Sequence, residues 1–278
     1  MNNNCVFELR DITYDYMADV HAIESLNLEI NKGDAVVVLG ANGSGKSTLL
    51  KVLDGLYFPT KGQFRAFGST INESTMRDKK TAREFHRKVG LVFQDPDVQL
   101  FLPTVWDEAA FAPLQLGYPR NLVTETASAA LNQLGLYHLK DRAPYHLSEG
   151  EKKKVSIASV LTLNPEVWLM DEPTASLDPR TQGWMIDFIL ELAENGKTIV
   201  IATHDLEIPH VATRTCYVLG QDHRLLVQGP TGEILNREDV LLQANLIHRH
   251  RHIHRNVAHA HAHMHWHTES SHGRPKQE

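Results

Sequence analysis

Residues 40–47 have types and a spacing that suit phosphate chemistry. They read Gly-Ala-Asn-Gly-Ser-Gly-Lys-Ser, which fits the pattern G-x-x-x-x-G-K-[ST]. Glycines let backbone N–H groups curl around phosphate oxygens, while Lys46 can reach the β- and γ-phosphates and Ser47 can bind Mg²⁺. By itself the loop predicts only an NTPase, and the alternative is a glycine-rich turn that binds nothing. The candidate ATP-binding residues here are Gly40, Asn42, Gly43, Ser44, Gly45, Lys46, Ser47 and Thr48.

Two adjacent acids supply a second set of candidate groups. Asp171 and Glu172 directly follow the apolar run 167–170, which reads as a buried strand. A parallel sheet binds ligands at the carboxyl ends of its strands, so we expect both acids to face the phosphates. Asp171 suits Mg²⁺, directly or through water, and Glu172 suits polarising the attacking water. The alternative is a pair of acids that merely cap a strand end.

Alternating strands and helices are predicted to hold these residues. Residues 35–39 form a continuous apolar run typical of a strand buried on both faces, and a helix is predicted over 46–53. Further predicted elements are strands over 89–93, 167–170 and 198–202 and helices over 149–163 and 179–195. This alternation predicts an α/β fold, a parallel sheet with helices on both faces. Residues 6–30 predict antiparallel strands, and 95–147 predict a mostly helical insertion.

The composition bounds the class of protein. The chain has 278 residues, 42% hydrophobic and 22% charged, which is ordinary for a soluble globular protein. No apolar run approaches the roughly 20 residues of a membrane-spanning helix, and the N-terminus lacks a signal-peptide plan. If the protein serves a membrane, we expect it to act from the cytoplasmic side with partners. The net charge of −6 does not suggest a nucleic-acid binder. Cys5 and Cys216 share no metal-ligand spacing and predict packing residues in a reducing compartment.

The motifs divide the chain into three predicted parts. Residues 1–94 and 156–247 form the nucleotide-binding α/β core, and residues 95–155 form a helical subdomain. Residues 248–278 form a disordered His-rich tail, because no core-forming periodicity remains there.

Six segments in a fixed order resemble the ABC transporter ATPase family over about residues 5 to 230. They are the loop 40–47, Gln94, the segment Leu-Ser-Glu-Gly-Glu at 147–151 (here the signature segment), Asp171-Glu172, Ser176-Leu-Asp178 and His204. The resemblance implies a P-loop NTPase core with an antiparallel β subdomain and a helical subdomain. It also implies a head-to-tail dimer with two ATPs, each between one subunit's phosphate loop and the other's signature segment.

The resemblance also implies roles for single residues. Gln94 would sense Mg²⁺ and the attacking water. The candidate magnesium ligands are Ser47, Gln94 and Asp171. The candidate catalytic residues are Glu172, His204 and Gln94. His204 would hydrogen-bond the γ-phosphate, and Asp178 would reach across the dimer. Tyr16 resembles the aromatic residue that stacks on adenine, with Tyr14 as its rival. Without the resemblance, Gln94 would be a strand-end residue and His204 a packing residue. Asp178 would mark a helix start, and Tyr16 and Tyr14 would be sheet residues.

The signature segment departs from the usual Leu-Ser-Gly-Gly-Gln. Ser148 and Gly150 begin a predicted helix, whose donors and dipole can meet a γ-phosphate from outside. The alternative is an ordinary N-cap, because Ser148 and Glu151 have the spacing of a capping box. Glu149 and Glu151 would repel ATP unless they point away. The residues that can offset them are Lys152, Lys153 and Lys154.

A narrower resemblance covers residues 94–105 and 109–119 and points to the ATPases of energy-coupling-factor importers. These importers bring vitamins or transition metals into prokaryotic cells, and the resemblance implies that this stretch contacts a transmembrane coupling protein. The apolar residues that would form the docking patch, or alternatively the core of the insertion, are Leu100, Phe101, Leu102 and Trp106.

Histidines alternate along the C-terminal tail. Alternate residues of an extended chain face one side, and neutral imidazoles are favoured ligands of Ni²⁺, Cu²⁺, Co²⁺ and Zn²⁺. The alternative is a solvated tail without a ligand, and a metal-binding tail can serve either transport or storage. The alternating residues are His248, His250, His252 and His254, followed by the candidate metal ligands His259, His261, His263, His265 and His267.

The sequence thus predicts an ATP-hydrolysing motor that powers import of nickel or cobalt, with ATP and Mg²⁺ as its cofactors. It would lie peripherally at the cytoplasmic face of the cell membrane, with transmembrane coupling and substrate-binding subunits and a second ATPase subunit. One alternative is a motor of the same family for another solute such as a vitamin. Another is a non-transport ABC ATPase, although such proteins usually carry two cassettes or a long coiled coil, and this sequence predicts neither. A silent nucleotide-binding regulator would lack the catalytic carboxylate that Glu172 supplies.

Overall fold

The computed structural model describes residues 4–17, 20–254 and 257–263, with the backbone alone for 249–254 and 257–263. The strands are β1 (Cys5–Met17), β2 (Val20–Asn31), β3 (Ala35–Leu39), β4 (Lys61–Ala66), β5 (Ser69–Thr70), β6 (Val89–Val92), β7 (Val167–Asp171), β8 (Thr198–Thr203), β9 (Thr215–Leu219), β10 (Leu225–Pro230), β11 (His248–His254) and β12 (Val257–His263). The helices are α1 (Lys46–Leu53), α2 (Glu73–Arg77), α3 (Lys79–His86), α4 (Pro96–Gln99), α5 (Val105–Gln115), α6 (Arg120–Gln133), α7 (Glu149–Leu161), α8 (Pro179–Glu194), α9 (Glu207–Ala212), α10 (Thr231–Leu235) and α11 (Glu238–Gln243).

A six-stranded sheet positions the phosphate loop 40–47 and the segments that follow β7 and β8. Its order is β10-β9-β3-β8-β7-β6, with β10 antiparallel to β9 and the other neighbours parallel. Every residue of β3, β6, β7 and β8 is buried, as the continuous apolar runs predict. The register sets Leu39 beside Thr203 and Asp171 beside Ala202. The segments that follow β3, β7 and β8 therefore leave the same edge of the sheet.

The two faces of this sheet are covered by different elements. Leu169 of β7 belongs to a hydrophobic cluster that includes Leu49 and Leu50 of α1. Its neighbours Trp168 and Met170 belong to another cluster, which contains residues of α7 and α8. The alternation along one strand confirms the predicted parallel sheet with helices on both faces.

A four-stranded antiparallel sheet lies over the α1 side. Its order is β2-β1-β4-β5, and its inner residues Leu9, Ile12 and Phe64 join the cluster that contains α1. The antiparallel strands predicted over 6–30 are therefore present. Residues 61–70 contain few apolar side chains, which is why their two short strands escaped the sequence pattern.

The helical region shares its core with the sheet. Val123 and Leu131 of α6 belong to the same cluster as Trp168 of β7. Helix α7 is continuous from Glu149 to Leu161, so the predicted subdomain boundary at residue 155 lies inside a helix. The division into subdomains remains a prediction, but α7 is common to the two parts.

The tail differs from the prediction of disorder over the residues that the structure describes. Strands β11 and β12 pair antiparallel and form a separate two-stranded sheet. The physical reason is that a hairpin satisfies its backbone through cross-strand hydrogen bonds, and an alternating sequence suits a strand without any helical or core periodicity. His265 and His267 lie outside the described residues.

Within the described ranges, no helix is long and apolar enough to cross a membrane. Both cysteines are free thiols. Burial raises the pKa of the Cys216 thiol to about 12. Burial, followed by the nearby carboxylates of Glu29 and Glu8, also raises the pKa of Cys5 above its ordinary value.

Candidate functional site

The loop between β3 and α1 leaves no room for a Cβ at Gly40 and Gly45. Gly45 precedes α1 with φ 102°, and a Cβ there would lie 2.1 Å from the carbonyl oxygen of Ala22. At Gly40, a Cβ would lie 2.4 Å from Oγ of Ser44. The glycines therefore allow the loop to coil tightly between the end of β3 and strand β2, with its N–H groups available at the start of α1.

Lys46 lies across its own loop. Its Nζ donates to the carbonyl oxygens of Gly40 (2.8 Å) and Ala41 (3.2 Å) and lies 3.5 Å from Oε1 of Glu172. Burial lowers the pKa of Lys46, although the Glu172 carboxylate opposes the shift. The ammonium group is thus held between the predicted phosphate site and the predicted catalytic carboxylate.

Asp171 ends β7 beside α1 and meets the chemical requirements of a magnesium ligand. Its carboxyl is buried, and Oδ1 has no hydrogen-bond partner. Burial raises the pKa of Asp171, while a hydrogen bond with the Ser47 side chain opposes the rise. An unpartnered carboxylate oxygen beside a hydroxyl oxygen suits a hard divalent cation. Among the residues whose side chains the structure describes, no group of three or more His, Cys, Asp or Glu forms a metal cluster, and a Mg²⁺ ion here would take further ligands from phosphates and water.

Glu172 is held by two residues from the end of β8. Thr203 Oγ1 donates to Oε2 at 2.7 Å, and the backbone N–H of His204 donates to Oε1 at 3.1 Å. The His204 Nδ1 also lies 2.8 Å from Oε1. Glu172 has φ 41°, a left-handed backbone that turns its side chain toward these donors.

The contacts keep Glu172 ionised at neutral pH. Burial by itself would raise the pKa of Glu172, but the hydrogen bonds from His204 and Thr203, with the charges of His204 and Lys46, bring it below its ordinary value. In return, the hydrogen bond to Glu172 raises the pKa of the His204 imidazole. The pair is a carboxylate acceptor oriented by a half-exposed histidine.

Gln94 follows β6 with an exposed side chain. Its carbonyl oxygen and that of Phe93 accept hydrogen bonds from Lys153 Nζ at 3.0 and 2.8 Å. Lys153 is fully buried, and burial lowers its pKa to about 8 against the opposing carboxylates of Asp171, Asp95 and Glu172. In the sequence, Lys153 is marked only as one of three lysines beside the acids. Its helical spacing from Ile157 and Val160 is the signal that could have predicted a buried position.

The two acids of the signature segment both have partners within their own chain. Ser148 and Glu151 form a reciprocal capping box at the start of α7, with Ser148 N–H 2.8 Å from the Glu151 carboxylate. Glu149 pairs with Lys152 at 3.1 Å, and Lys152 also pairs with Asp97 at 2.9 Å. Glu151 is therefore held by the Ser148 cap and Glu149 by an ion pair with Lys152.

The signature segment and Asp178 line a cavity of about 620 Å³ whose lining residues include none of the phosphate loop. Asp178 caps α8, where it accepts 2.6 Å and 3.0 Å hydrogen bonds from Thr181 Oγ1 and the Arg180 N–H. A Cβ at Gly150 would lie 3.0 Å from Oγ1 of Thr181. The predicted residues therefore fall on two surfaces. Lys46, Asp171, Glu172 and His204 come together, whereas Ser148, Gly150 and Asp178 lie elsewhere.

Tyr16 contacts the phosphate-loop helix. Its hydroxyl lies 2.7 Å from Oγ1 of Thr48, and the ring is 47% exposed. Tyr14 instead stacks on Tyr57 with ring centroids 5.0 Å apart and packs against the core. The open ring beside the loop is thus that of Tyr16.

Comparisons with known proteins agree on one family. The family model described as ABC transporter matches residues 23–175. The nickel import ATP-binding protein NikO of Rhodobacter capsulatus is 43% identical over 248 residues, covering 87% of this chain and 95% of NikO. The energy-coupling factor transporter ATP-binding protein EcfA of Methanoculleus marisnigri is 40% identical over 243 residues, covering 87% and 85% of the two chains. The solved ATP-binding cassette MJ0796, a dimer in a post-hydrolysis state bound to ADP and Pi, matches with a TM-score of 0.73 at 26% identity over 81% of this chain and 98% of its own.

Proposed function

Since this chain belongs to the ABC transporter family and is an ATPase coupled to transport, we propose that it is the motor subunit of an importer whose cargo is nickel or cobalt. The observation that carries the ATPase role is the Glu172 carboxylate, held ionised 3.5 Å from the phosphate-loop lysine. The likeness to a nickel importer's ATPase over 95% of that protein supports the cargo. The subunit lies peripherally at the cytoplasmic face of the cell membrane.

Hydrolysis follows from the groups around the phosphate loop. The N–H groups of the loop and the start of α1 bind the β- and γ-phosphates, and Lys46 exchanges its bonds to Gly40 and Ala41 for phosphate oxygens. Ser47, Asp171 and Gln94 would hold Mg²⁺, which would supply neutralisation of the phosphate charge. Glu172 accepts a hydrogen bond from the attacking water and polarises it. Thr203 and His204 orient the carboxylate.

The cavity lined by the signature segment and Asp178 fits a role in a neighbouring subunit's site. Ser148, Gly150 and Asp178 lie away from the phosphate loop of their own chain, and α7 offers a capped helix start whose acids are held by Ser148 and Lys152. We propose that they face the ATP bound by a second ATPase subunit, in a head-to-tail dimer, with Tyr16 stacking on adenine. The likeness to a dimeric cassette bound to ADP and Pi supports this arrangement.

An exposed apolar surface fits contact with a membrane subunit. Of the residues predicted as a docking patch, Leu100 is buried and Trp106 packs against the helical core, while Phe101 is 66% exposed. The Phe101 ring meets Phe111 with centroids 5.2 Å apart, and Leu114 follows one turn later on α5 with 49% exposure. The surface formed by Phe101, Phe111 and Leu114 is where we propose that the transmembrane coupling subunit docks.

Glu172→Gln tests the ATPase role. The amide keeps the size of the side chain but cannot polarise water as a carboxylate does, so we expect ATP binding to persist and hydrolysis to fall by about 10²–10⁴-fold. Glu194→Gln, an exposed change at the end of α8, is the matched control and should leave hydrolysis unchanged. Hydrolysis by the Glu172 variant within a few-fold of wild type would assign the catalytic base to another residue.

Transport by the assembled complex tests the cargo. The chain should copurify with transmembrane subunits, and vesicles containing the complex should take up radiolabelled Ni²⁺ or Co²⁺ only with ATP and an intact Glu172. ATP-driven uptake of a vitamin and not of either metal would favour the same family's other cargo. Absence of any copurifying membrane subunit would favour a non-transport ATPase.

A further inference from the structure

The hairpin formed by β11 and β12 sets histidines opposite one another. On β11, histidine occupies positions 248, 250, 252 and 254, and on β12 it occupies positions 259, 261 and 263. The backbone register pairs His248 with His263, His250 with His261, and His252 with His259. Because the side-chain period of a strand is two, these positions all belong to one face of the hairpin.

The opposite face has a different composition. There the register pairs Arg249 with Ala262, Arg251 with Ala260, and Ile253 with Ala258. Each arginine is thus opposite an alanine, and no two like charges are paired directly on that face, which would be destabilising. A slip of the register by one residue would set histidines opposite alanines and break every histidine pair.

Directly opposite positions have the separation that a shared metal ion requires. The Cβ atoms of such residues lie about 4.5–5.5 Å apart in an antiparallel pair. Metal–nitrogen bonds are about 2.0–2.1 Å long, so two imidazoles on opposite positions can bind one ion between them. Neutral imidazole is a favoured ligand for first-row divalent transition metals.

We propose that β11 and β12 form a ladder of three two-histidine metal sites, each binding one first-row divalent transition-metal ion such as Ni²⁺, with water completing the coordination. The three rungs are His248–His263, His250–His261 and His252–His259. Metal binding and the hairpin register stabilise each other, because the ion crosslinks residues that only this register brings together. The inference concerns a binding site outside the ATPase machinery and stands independently of the cargo.

A ladder and a flexible chelating tail differ in how many metal sites are lost when two histidines are removed. In a ladder, losing either histidine or both histidines of one rung removes the same site. Losing one histidine from each of two rungs removes two sites. In a flexible tail, only the number of histidines lost matters, and the two double variants behave alike.

The experiment is a Ni²⁺ titration by calorimetry at pH 7.5 on the full chain, purified without a histidine tag. The background carries His265→Ala, His267→Ala and His272→Ala, so that the rest of the tail cannot substitute. We expect His250→Ala with His261→Ala to remove one bound ion, as either single change does, and His250→Ala with His259→Ala to remove two. Thermal unfolding of each variant checks that the body is unchanged. Equal losses in the two double variants, or no Ni²⁺ bound by the background chain, would overturn the ladder, and neither result depends on ATP hydrolysis.

Discussion

Three consecutive lysines of α7 have three different environments. Lys152 pairs with Asp97 and Glu149, Lys153 is buried under the Phe93 and Gln94 carbonyls, and Lys154 lies 4.5 Å over the Trp184 ring. Composition alone treats them as one basic run. The helical rotation of about 100° per residue separates them, and the middle lysine is the one that donates to the Phe93 and Gln94 carbonyls directly after β6.

Lys153→Met should change how stability depends on pH. The folded-state pKa of Lys153 is about 8, below its ordinary value of 10.5. Below pH 8 Lys153 is charged in both the folded and the unfolded state, so the full cost of burying its charge opposes folding. Between pH 8 and 10.5 the folded protein binds fewer protons than the unfolded chain, so this residue makes stability rise with pH. Urea unfolding of wild type and variant should therefore give free energies whose difference, wild type minus variant, increases from pH 7.5 to 9.5.

Lys154→Met is the matched control, because it removes a charge from the same helix at a half-buried position. Its difference from wild type should lack this rise. Parallel pH profiles for wild type and the Lys153 variant would show that Lys153 is not protonated differently in the folded state.

The strands and helices around the phosphate loop were largely predictable, and the reason is local. The bounds Ala35–Leu39 and Lys46–Leu53 follow from an apolar run, glycines and a helical pattern that need no distant partner. In contrast, β4 and β10 are half-exposed strands that gain their hydrogen bonds from β1 and β9, and no local pattern marks them. These two strands are apparent only from their pairing with β1 and β9 in the sheets.

The candidate site divides in the same way. Lys46, Asp171 and Glu172 were predicted because their motifs are contiguous in sequence. The contacts of Thr203 and His204 with Glu172 were not predicted, because they depend on β8 lying between β3 and β7 in the sheet. The local roles of Asp178 as an N-cap and of Glu151 in the capping box of Ser148 were foreseeable as an alternative, since both lie at predicted helix starts.

Helix α7 depends on its first turn, and Ser148→Ala should weaken it. The change removes the acceptor for the Glu151 N–H and the hydroxyl that contacts the Glu151 carboxylate. We expect a loss of about 0.5–2 kcal/mol of unfolding free energy, the usual cost of removing a serine N-cap. Glu151→Gln, whose amide oxygen can still accept from the Ser148 N–H, should cost less. Guanidinium unfolding of both variants measures this order, and a larger loss for Glu151→Gln would contradict it.

The charge of the whole chain is unevenly distributed. Removing the 5 basic and 2 acidic residues of 248–278 from the 28 and 34 of the full chain leaves 23 and 32, a net charge of −9. The acidic body is thus joined to a weakly basic tail whose two described strands pair only with each other among the described residues. Such a segment adds little to the free energy of folding of the body.

Truncation at two neighbouring positions should separate body from tail. Ending the chain after Ile247 should leave the melting temperature and ATP hydrolysis nearly unchanged. Ending it after Gln243 also removes Ala244, Leu246 and Ile247, which are buried against α10 and α11 residues. We expect that second cut to cost at least about 2 kcal/mol, the lower end for losing one large buried side chain. Scanning calorimetry and an ATPase assay compare them, and equal stability of the two truncations would contradict the proposed end of the body.

The two native cysteines should react slowly enough for a cysteine introduced at the surface to be labelled selectively. Maleimides and disulfide reagents react with thiolates, and the buried Cys216, with its pKa raised to about 12, is protonated at pH 7. Cys5 is half-buried and its pKa is raised as well. A cysteine introduced at the 75% exposed Tyr145 would therefore react well ahead of either native residue. Fluorophores and crosslinkers can be attached at chosen sites with the natural cysteines left in place, so that distances between two copies of the chain become measurable as ATP binds and is hydrolysed.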